Sequence, residues 1–386
     1  MFSYKLLIFC LCLPLIFSCG NPNTMDHPLK EMEFVLVDSI TFDEQQILRI
    51  LDYDDRLGMY LMVNRGLEGK YSLMDKEGNQ IAENMLSEGP DAFGMVLHRA
   101  GFVGDEVLFI SDQQAFVYDL NLKQLRKFPF EQDAKVRLIH WTLDCLSTYD
   151  WDGKSFAVAN LHDAPLPVYP QDYYDTLNLL HLINPGDGSV AKGGKLDESS
   201  KMIPGSFLPG RDKPVFFSRP GSSYVSVIFA GDDILYQFDP GDNFRIANKI
   251  QMNRMGPDQL KAVPLADAAL EGNRETEVNN RKFAGNFYNM MGHRDDFILA
   301  YRTGSDPTAA PKMQDPGTKG EITFKTYYYP FKDNKLIGSP ILWDKPGDLI
   351  LGIGPNRYLQ YADQADIHDY EKDYQCYYIY ELREKE

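Results

Sequence analysis

Arginines and histidines at the ends of strand-like runs are the residues best suited to chemistry in this sequence. His293 and Arg294 precede such a run and Arg302 follows it, while Arg65 and Arg357 lie at the ends of runs that we interpret as other inner strands. A guanidinium group binds a carboxylate through a fixed fork of hydrogen bonds. These residues therefore predict a ring that receives an anionic ligand, with ordinary ion pairs to neighbouring blades as the alternative.

Aromatic side chains form a second candidate site. His140 and Trp141 lie close in sequence to Tyr149 and Trp151, so two of the three tryptophans fall in one short stretch. Aromatic faces suit sugar rings or the side chains of a protein partner. The alternative is that these rings pack in the core.

The sequence lacks the catalytic and metal-binding motifs that would indicate an enzyme. The sequence contains no nucleophile elbow, P-loop, dinucleotide fingerprint or H-E-x-x-H motif. His140, His162 and His293 would have to converge in space to bind a metal, because they are not at ligand spacing. We therefore predict no catalytic residue, no metal site and no cofactor, and an enzyme is the less favoured interpretation.

Two acidic clusters are better explained as turns. Asp150-Trp151-Asp152-Gly153 begins like a calcium loop, but Leu161 occupies the position where a closing glutamate is required, so we expect a hairpin turn. The sequence around Asp52, Asp54 and Asp55 similarly predicts a solvated acidic turn.

The N-terminus contains a cysteine that could be modified. Lys5 is followed by Leu6–Phe17, twelve residues of which all but Pro14 are apolar, and then by Ser18 and Cys19. A helix needs about 20 apolar residues to cross a bilayer, so the run fits a cleaved signal peptide better than a permanent span. Ile16 to Cys19 resembles a bacterial lipobox, which implies acylation of Cys19, with ordinary cleavage as the alternative.

The segments after the cysteine predict a tethered domain. Residues 1–18 would be the signal peptide, 19–32 a lipidated tether rich in Asn, Pro and Asp, and 33–386 the folded domain. Acyl chains would attach the protein to a lipid bilayer. Gly20 replaces the aspartate that retains some lipoproteins at the inner membrane, so we expect an outer-membrane lipoprotein, periplasmic or surface-exposed.

Charge and cysteine content narrow the possible partners. The formal net charge of −17 opposes binding to nucleic acid, and no basic stripe is present. Cys145 and Cys376 are the two cysteines that remain beyond Cys19, and an oxidising compartment would allow them to pair or to stay as buried thiols.

A degenerate repeat indicates the fold. Strand-like runs rich in Val, Ile, Leu, Phe and Tyr recur six times, at 58–65, 106–113, 155–162, 223–230, 296–303 and 357–363. Each is followed by a second strand and a polar turn, for example Asn184-Pro185-Gly186-Asp187. Helical patterns are confined to 43–51 and 262–281. The sequence predicts an all-β, six-bladed β-propeller.

The ends of the chain and two long intervals complete this prediction. We expect the N-terminal run at 33–42 to pair with the C-terminal run at 377–384 and close the ring. The excess length at 163–214 and 253–285 predicts loops or insertions on one face of the disc, where binding sites are often found.

The lipobox, the sixfold repeat and the turns at Gly89-Pro90-Asp91, Gly256-Pro257-Asp258 and Gly354-Pro355-Asn356 together resemble a known family. They are similar to the TolB-like six-bladed propeller lipoproteins of Gram-negative bacteria, over about residues 33–386. The resemblance implies a propeller on the cell envelope, and it implies little about chemistry because fold does not determine function.

Two functional hypotheses follow. The first is a membrane-anchored binding module whose loop face recognises a protein, peptide or glycan. The alternative is an envelope enzyme acting on a polysaccharide or peptide, with a site built from different blades at the mouth of the channel. A structural subunit of an envelope complex is a further possibility, which a large exposed apolar patch would indicate.

Overall fold

The computed structural model describes most of the predicted folded domain. The described residues are 29–42, 48–64, 69–86, 88–93, 99–111, 114–129, 144–159, 173–203, 205–268, 273–305, 324–361, 367 and 374–386. The predicted signal peptide, Cys19 and most of the tether lie outside them. The strands run from Met32 to Glu384.

Six antiparallel sheets form a six-bladed β-propeller, as the repeat predicted. The first strand of the chain is β1, Met32–Phe42, which belongs to the last blade. Blade 1 consists of β2 Leu48–Asp54, β3 Met59–Asn64, β4 Lys70–Asp75 and β5 Gln80–Met85. Blade 2 consists of β6 Arg99–Val103, β7 Glu106–Ile110, β8 Gln114–Tyr118 and β9 Gln124–Pro129. A short parallel strand, β10 Asp144–Cys145, adds to the inner edge of blade 2.

The remaining blades repeat this pattern. Blade 3 consists of β11 Ser147–Trp151, β12 Lys154–Ala159, β13 Leu180–Ile183 and β14 Val190–Gly193, with the short helix α1 Tyr173–Thr176 before β13. A two-stranded sheet pairs β15 Ser206–Phe207 with β20 Val263–Pro264, and blade 4 consists of β16 Pro214–Phe217, β17 Val225–Phe229, β18 Ile234–Asp239 and β19 Arg245–Gln251.

Blades 5 and 6 complete the ring. The helix α2 Asn273–Phe283 precedes blade 5, which consists of β21 Asn286–His293, β22 Asp296–Arg302, β23 Thr326–Lys332, β24 Lys335–Leu336 and β25 Ile341–Trp343. Blade 6 consists of β26 Asp348–Gly354, β27 Arg357–Tyr361, β28 Gln375–Glu384 and β1. The strands β2, β6, β11, β16, β21 and β26 lie on the inner side of their blades and surround a central channel, with β10 added inside β6.

Burial explains why the middle strands are the most apolar. In blade 2, the strands β7 and β8 are buried at four consecutive positions, because each has a neighbouring strand on both edges and a neighbouring blade on both faces. The outer strand β9 alternates between half-buried and exposed residues, as expected of a strand with one solvated face. Rings from neighbouring blades pack edge to face, for example Tyr71 against Phe109 with centroids 4.9 Å apart.

Ring closure occurs as the sequence predicted. Strand β1 pairs antiparallel with β28 from Met32 opposite Glu384 to Phe42 opposite Gln375. Phe42 also packs against Tyr60 of blade 1 and Tyr377 of blade 6, with ring centroids 6.0 and 5.7 Å apart. The N-terminal strand therefore joins the first and last blades and leaves no open edge between them.

The calcium-like loop is a hairpin turn, as the sequence predicted. Trp151 pairs with Lys154 across a two-residue turn, in which Asp152 and Gly153 have φ of 50° and 71°. Positive φ at both positions is typical of the tight turn that suits the twist of a β-hairpin.

The helical prediction at 43–51 was wrong where the structure describes it. Leu48–Leu51 belongs to β2, the innermost strand of blade 1. Asp52, predicted to be in a solvated turn, continues this strand and is 1% exposed. Helix propensity is a weak local preference, and pairing with β3 overrides it here.

The two long intervals come together on one side of the disc. The sheet formed by β15 and β20 connects them, and α2 lies within the second. The Arg211 guanidinium donates to the carbonyls of Arg281 and Ala284 at 2.9 and 3.2 Å. This satisfies carbonyl groups at the C-terminal end of α2. Among the residues described, no helix is long and apolar enough to cross a membrane.

Candidate functional site

A cavity of about 430 Å³ occupies the central channel, near the face where the innermost strands begin. We name it the upper cavity. It is lined by residues of β2, β6, β10, β11, β16, β21, β26, β27 and β28, and by Leu146 between β10 and β11. Every blade therefore contributes to its wall.

Three arginines line the upper cavity: Arg49, Arg99 and Arg219. Arg49 and Arg99 lie near the beginnings of β2 and β6, neighbouring inner strands that run side by side. The side chain of Asp52 in β2 accepts from the backbone N–H of Phe102 in β6 at 2.9 Å, so these two residues lie side by side. Arg49 comes three residues before Asp52, and Arg99 comes three residues before Phe102. Arg49 and Arg99 therefore occupy the same level of the channel.

Contacts on two sides hold Arg99 in place. Its Nη1 donates to the carbonyl of Cys145 at 3.2 Å, and its guanidinium carbon lies 4.4 Å from the centroid of the Phe216 ring. Arg99 belongs to blade 2 and Phe216 to blade 4, which faces blade 1 across the channel, so this contact reaches into the channel from another blade. This cation–π contact holds the guanidinium inside the cavity.

A buried ion pair crosses the channel below this level. Arg219, in the loop after β16, places Nη1 2.7 Å from Oδ1 of Asp52. The pair links blades 4 and 1, which face each other in a six-bladed ring. Asp52 also accepts from the backbone N–H of Tyr53 at 2.8 Å. We name the Asp52–Arg219 pair the crossbar, and it forms the floor of the upper cavity.

Burial and the crossbar together determine the protonation of Arg219 and Cys145. Burial by itself would lower the pKa of Arg219, but Asp52 and the Cys145 sulfur outweigh it, so the pKa is raised and the guanidinium stays charged. Burial raises the pKa of the Cys145 thiol to about 12, opposed by Arg219 and assisted by Asp52. Cys145 is therefore a neutral thiol at physiological pH, and neutral thiols are weak nucleophiles.

The two cysteines left open by the sequence are both free. Cys145 is half-buried against the upper cavity and Cys376 is buried in β28. The Cys145 sulfur lies 3.4 Å from Oδ1 of Asp52 and 3.3 Å from Nη2 of Arg219. Cys145 is thus part of the polar network at the crossbar.

A smaller pocket of about 180 Å³ lies on the other side of the crossbar, where the innermost strands end. Asp55 and His293 line it, with His293 Nε2 3.0 Å from Asp55 Oδ2. Arg294 also lines this lower pocket, in the turn after β21, with a φ of 54°. The inner strands approach closely here, since a Cβ added to Gly352 would lie 2.5 Å from Cα of Gly292.

The structure brings only part of the predicted site together. His293 and Arg294 lie at the lower pocket, whereas Cys19, Arg65, His140 and Trp141 fall outside the described residues. Trp151 is partly buried and packs against Phe156 with centroids 5.8 Å apart, next to the core between blades 3 and 4. Its packing matches the core alternative.

The predicted placement of Arg302 and Arg357 at inner strands was wrong. Arg302 ends β22 and Arg357 begins β27, and both strands are second in their blades. Arg302 pairs with Asp348 at 3.0 Å, and Arg357 lies 3.8 Å from Glu381. The runs interpreted as inner are the most apolar strands because neighbouring strands cover both of their edges. Arg302 therefore forms an ion pair with a neighbouring blade, which was the alternative, whereas Arg357 lies against a carboxylate of its own blade.

The sequence prediction missed the arginines and the aspartate of the channel. Arg49 carried a usable signal, since it is the one charged residue within Leu48-Arg49-Ile50-Leu51. A charge inside an apolar strand requires a polar surface or a partner. Arg219 carried no comparable signal, because it lies in a loop and reaches the channel only after the ring closes.

No known protein-family profile and no curated protein matches this chain. A solved structure of a DUF4221 family member from Bacteroides vulgatus aligns with 93% of this chain and 100% of its own, at a TM-score of 0.64 and 11% identity. A protein of unknown function from Bacteroides caccae aligns with 77% of this chain and 82% of its own, at a TM-score of 0.38 and 10% identity.

The β-propeller domain of Cps50 (Swd1) from Myceliophteria thermophila aligns with 91% of this chain and 100% of its own, at a TM-score of 0.40 and 9% identity. At such identities a likeness concerns the fold alone. The comparisons do not single out the TolB-like lipoproteins. The chain is similar in fold to the DUF4221 protein.

Proposed function

We propose that this protein is a membrane-anchored binding module that takes an anionic ligand into the upper cavity of its propeller. The observation that carries the proposal is the lining of that cavity. Arg49, Arg99 and Arg219 line it, Asp52 pairs with Arg219 from the floor, and none of the described residues that line the cavity is a carboxylate. In a protein with a net charge of −17, this concentration of positive charge marks the channel as the place for an anion.

Size and chemistry support a small ligand or the end of a larger one. Ligand pockets typically measure about 300–1,000 Å³, and the upper cavity of about 430 Å³ falls within that range. Hydrogen bonds from guanidinium to carboxylate or phosphate are about twice as strong as neutral ones. The ligand contacts would lie inside the channel, between blades, as well as on the loop face.

Binding without catalysis is supported by the state of Cys145. It is the one nucleophilic thiol among the described residues that line the upper cavity, and burial raises its pKa to about 12. A neutral thiol is a weak nucleophile, and the Cys145 sulfur contacts Nη2 of Arg219.

The binding test compares arginine variants. In purified protein we expect at least one of acetate, benzoate, phosphate and sulfate to raise the melting temperature at constant ionic strength. Arg99→Gln and Arg49→Gln should each weaken that anion about 10- to 100-fold, because a hydrogen bond to a charged group contributes about 1.5–3 kcal/mol. Calorimetric titration gives the dissociation constants.

Arg357→Gln is the matched control for this test. Its side chain is 58% exposed on β27, outside the lining of the upper cavity, so affinity should be unchanged. The proposal fails when no anion binds, or when Arg49→Gln and Arg99→Gln bind the anion as tightly as the wild type and the Arg357→Gln control do.

Membrane attachment is tested at Cys19. Growth with an alkyne-labelled palmitate should label the wild-type protein, and the protein should fractionate with the outer membrane. Cys19→Ser removes the sulfur that would carry the diacylglyceryl group, so we expect label and membrane association to be lost. Cys145→Ser is the control, and equal labelling of Cys19→Ser and the wild type would rule out the anchor. Protease treatment of intact cells then separates periplasmic from surface exposure.

A further inference from the structure

We infer that the lower pocket binds a phosphoethanolamine group, a zwitterion with a phosphate at one end and a primary ammonium at the other. The site is separate from the upper cavity, so it goes beyond the proposed anion binding. Its source is a phospholipid headgroup, an assignment that rests on the proposed membrane anchor. Three features carry the inference: the balance of charge in the pocket, the groups left without partners, and the face on which the pocket opens.

The charges that line the lower pocket balance. Among the described residues, three carboxylates and three guanidinium groups line it: Asp52, Asp54, Asp55, Arg56, Arg219 and Arg294. Asp52 and Arg219 neutralise each other in the crossbar, and Arg56 is shared between Asp54 and Asp105. The charges of Asp55 and Arg294 remain, and they have opposite signs. A ligand with a single charge would leave one of them unmatched, whereas a zwitterion matches both.

The positive end of the pocket lies towards blade 4. The stem of Arg294 packs over Gly221 of that blade, because a Cβ added to Gly221 would lie 3.6 Å from its Cδ and Nε. Ser222 Oγ fixes the turn by donating to the carbonyl of Arg294 at 3.0 Å. The guanidinium is exposed, and no described residue accepts a hydrogen bond from it or forms an ion pair with it. It is therefore available to a phosphate.

A buried hydroxyl adds to this end. Thr148 of blade 3 lines the pocket and is 1% exposed, and its Oγ1 has no hydrogen-bond partner among the described residues. Leaving a buried hydroxyl without a partner costs free energy. A phosphate oxygen would supply the missing acceptor, and a tetrahedral phosphate can accept from Thr148 and Arg294 in different directions.

The negative end lies across the channel, on blade 1. Oδ2 of Asp55 lies 3.0 Å from Nε2 of His293, and no other described residue donates a hydrogen bond to this carboxylate. Tyr53 lines the same pocket. Burial, followed by Asp55 and Asp54, raises the pKa of Tyr53, so its phenol stays neutral. Carboxylate and phenol oxygens both accept hydrogen bonds, which suits the three N–H donors of a primary ammonium.

The lower pocket is small and opens on the side of the predicted anchor. Its volume of about 180 Å³ is below the usual range of about 300–1,000 Å³, which suits the headgroup of a larger molecule. Met32 begins β1 opposite Glu384 of β28, and Glu381 of β28 pairs with Arg357, close to Gly354 in the pocket lining. The predicted tether therefore joins the propeller on the face of the lower pocket, where lipid headgroups would be the nearest zwitterions.

The test compares four soluble probes by calorimetric titration of the purified protein. Glycerophosphoethanolamine carries both charges, glycerol phosphate lacks the amine, ethanolamine lacks the phosphate, and glycerophosphocholine has an ammonium without N–H donors. We expect glycerophosphoethanolamine to bind at least about 10-fold more tightly than each of the others, because each lacks a charged hydrogen bond. Short-chain phosphatidylethanolamine should bind as tightly as glycerophosphoethanolamine, and phosphatidylcholine of the same chain length more weakly.

Variants of the two ends add readouts that misfolding would not produce. Arg294→Gln should weaken glycerophosphoethanolamine about 10- to 100-fold and leave ethanolamine unchanged, whereas Asp55→Asn should weaken it and leave glycerol phosphate unchanged. Thr148→Val should weaken it about two- to tenfold without lowering the melting temperature, because the hydroxyl has no partner in the described protein. Arg245→Gln is the matched control, since that side chain is 61% exposed and outside the pocket lining.

The outcomes separate this inference from the proposed function. The inference is wrong when glycerophosphoethanolamine does not bind, when glycerol phosphate or ethanolamine binds as tightly, or when Arg294→Gln has no effect. Weakening by Arg99→Gln in place of Arg294→Gln would also overturn it, and would assign the ligand to the upper cavity. Binding of the soluble probe without binding of phosphatidylethanolamine would rule out the lipid as the source. Absence of the palmitate label at Cys19 would remove the anchor and the lipid source together, whereas the probe titration tests the pocket independently of both.

Discussion

Replacing Asp52 with asparagine is expected to lower the free energy of unfolding by about 3 kcal/mol, because it leaves the buried charge of Arg219 without its partner. The value lies at the low end for broken buried pairs, since the Arg219 side chain keeps 12% exposure towards the cavity. The asparagine can still accept from the backbone N–H of Phe102 through its amide oxygen, but its amide nitrogen then faces Arg219 and the N–H of Tyr53. The loss therefore combines the unpaired charge with one backbone hydrogen bond. Urea unfolding followed by tryptophan fluorescence measures it.

Asp348→Asn is the matched control for the crossbar. It removes the partner of Arg302 in a pair whose side chains are 36% and 39% exposed. Exposed pairs contribute about 0–1 kcal/mol. The double variant Asp52→Asn with Arg219→Met should recover part of the loss, because no unpaired charge then remains. Equal losses for Asp52→Asn and Asp348→Asn would show that the crossbar carries no buried charge.

The second large effect is expected at ring closure. Phe42→Ala should lower the free energy of unfolding by about 3–5 kcal/mol, the usual cost of removing a buried phenyl ring. Phe42 is 1% exposed and packs between Tyr60 of blade 1 and Tyr377 of blade 6. Its loss removes contacts that only the closed ring makes. Chemical unfolding and the rate of cleavage by a dilute protease both measure the effect.

Leu36→Ala provides a control on the same strand. Leu36 is also in β1, but it is 51% exposed, so its truncation should change stability by no more than about 0.5 kcal/mol. A similar loss in the two variants would mean that β1 stabilises the protein by strand pairing alone, and that closure does not depend on the ring at position 42.

Much of the fold could be predicted because its signals are local. The turn at Asp152-Gly153 has residues that accept positive φ, and the structure places both there. The pairing of β1 with β28 was expected because a propeller must cover its edges. The strand order within a blade was harder to predict. Second and third strands are apolar on both faces, whereas an inner strand such as β2 mixes apolar residues with Arg49 and Asp52.

The sequence predicted the type of site, a set of arginines at the channel, but it did not identify most of the residues that form it. A ring of arginines was expected, but Arg302 and Arg357 lie on second strands, and the cavity uses Arg49, Arg99 and Arg219 instead. The reason is that the channel is lined by short segments from every blade. Arg219 and Asp52 are 167 residues apart and meet only across the channel.

The sequence by itself determined the class of this protein: an all-β repeat with hairpin turns, six blades and terminal strands that close the ring. These properties depend on residue spacing and turn chemistry, which act over a few residues. Only the tertiary structure decided which charges face the channel, and that Asp52 is buried against Arg219 rather than solvated in a turn. Which side chains face the channel, and which are buried, depends on which blades lie opposite each other in the closed ring. A pattern within a few residues of sequence cannot indicate that arrangement.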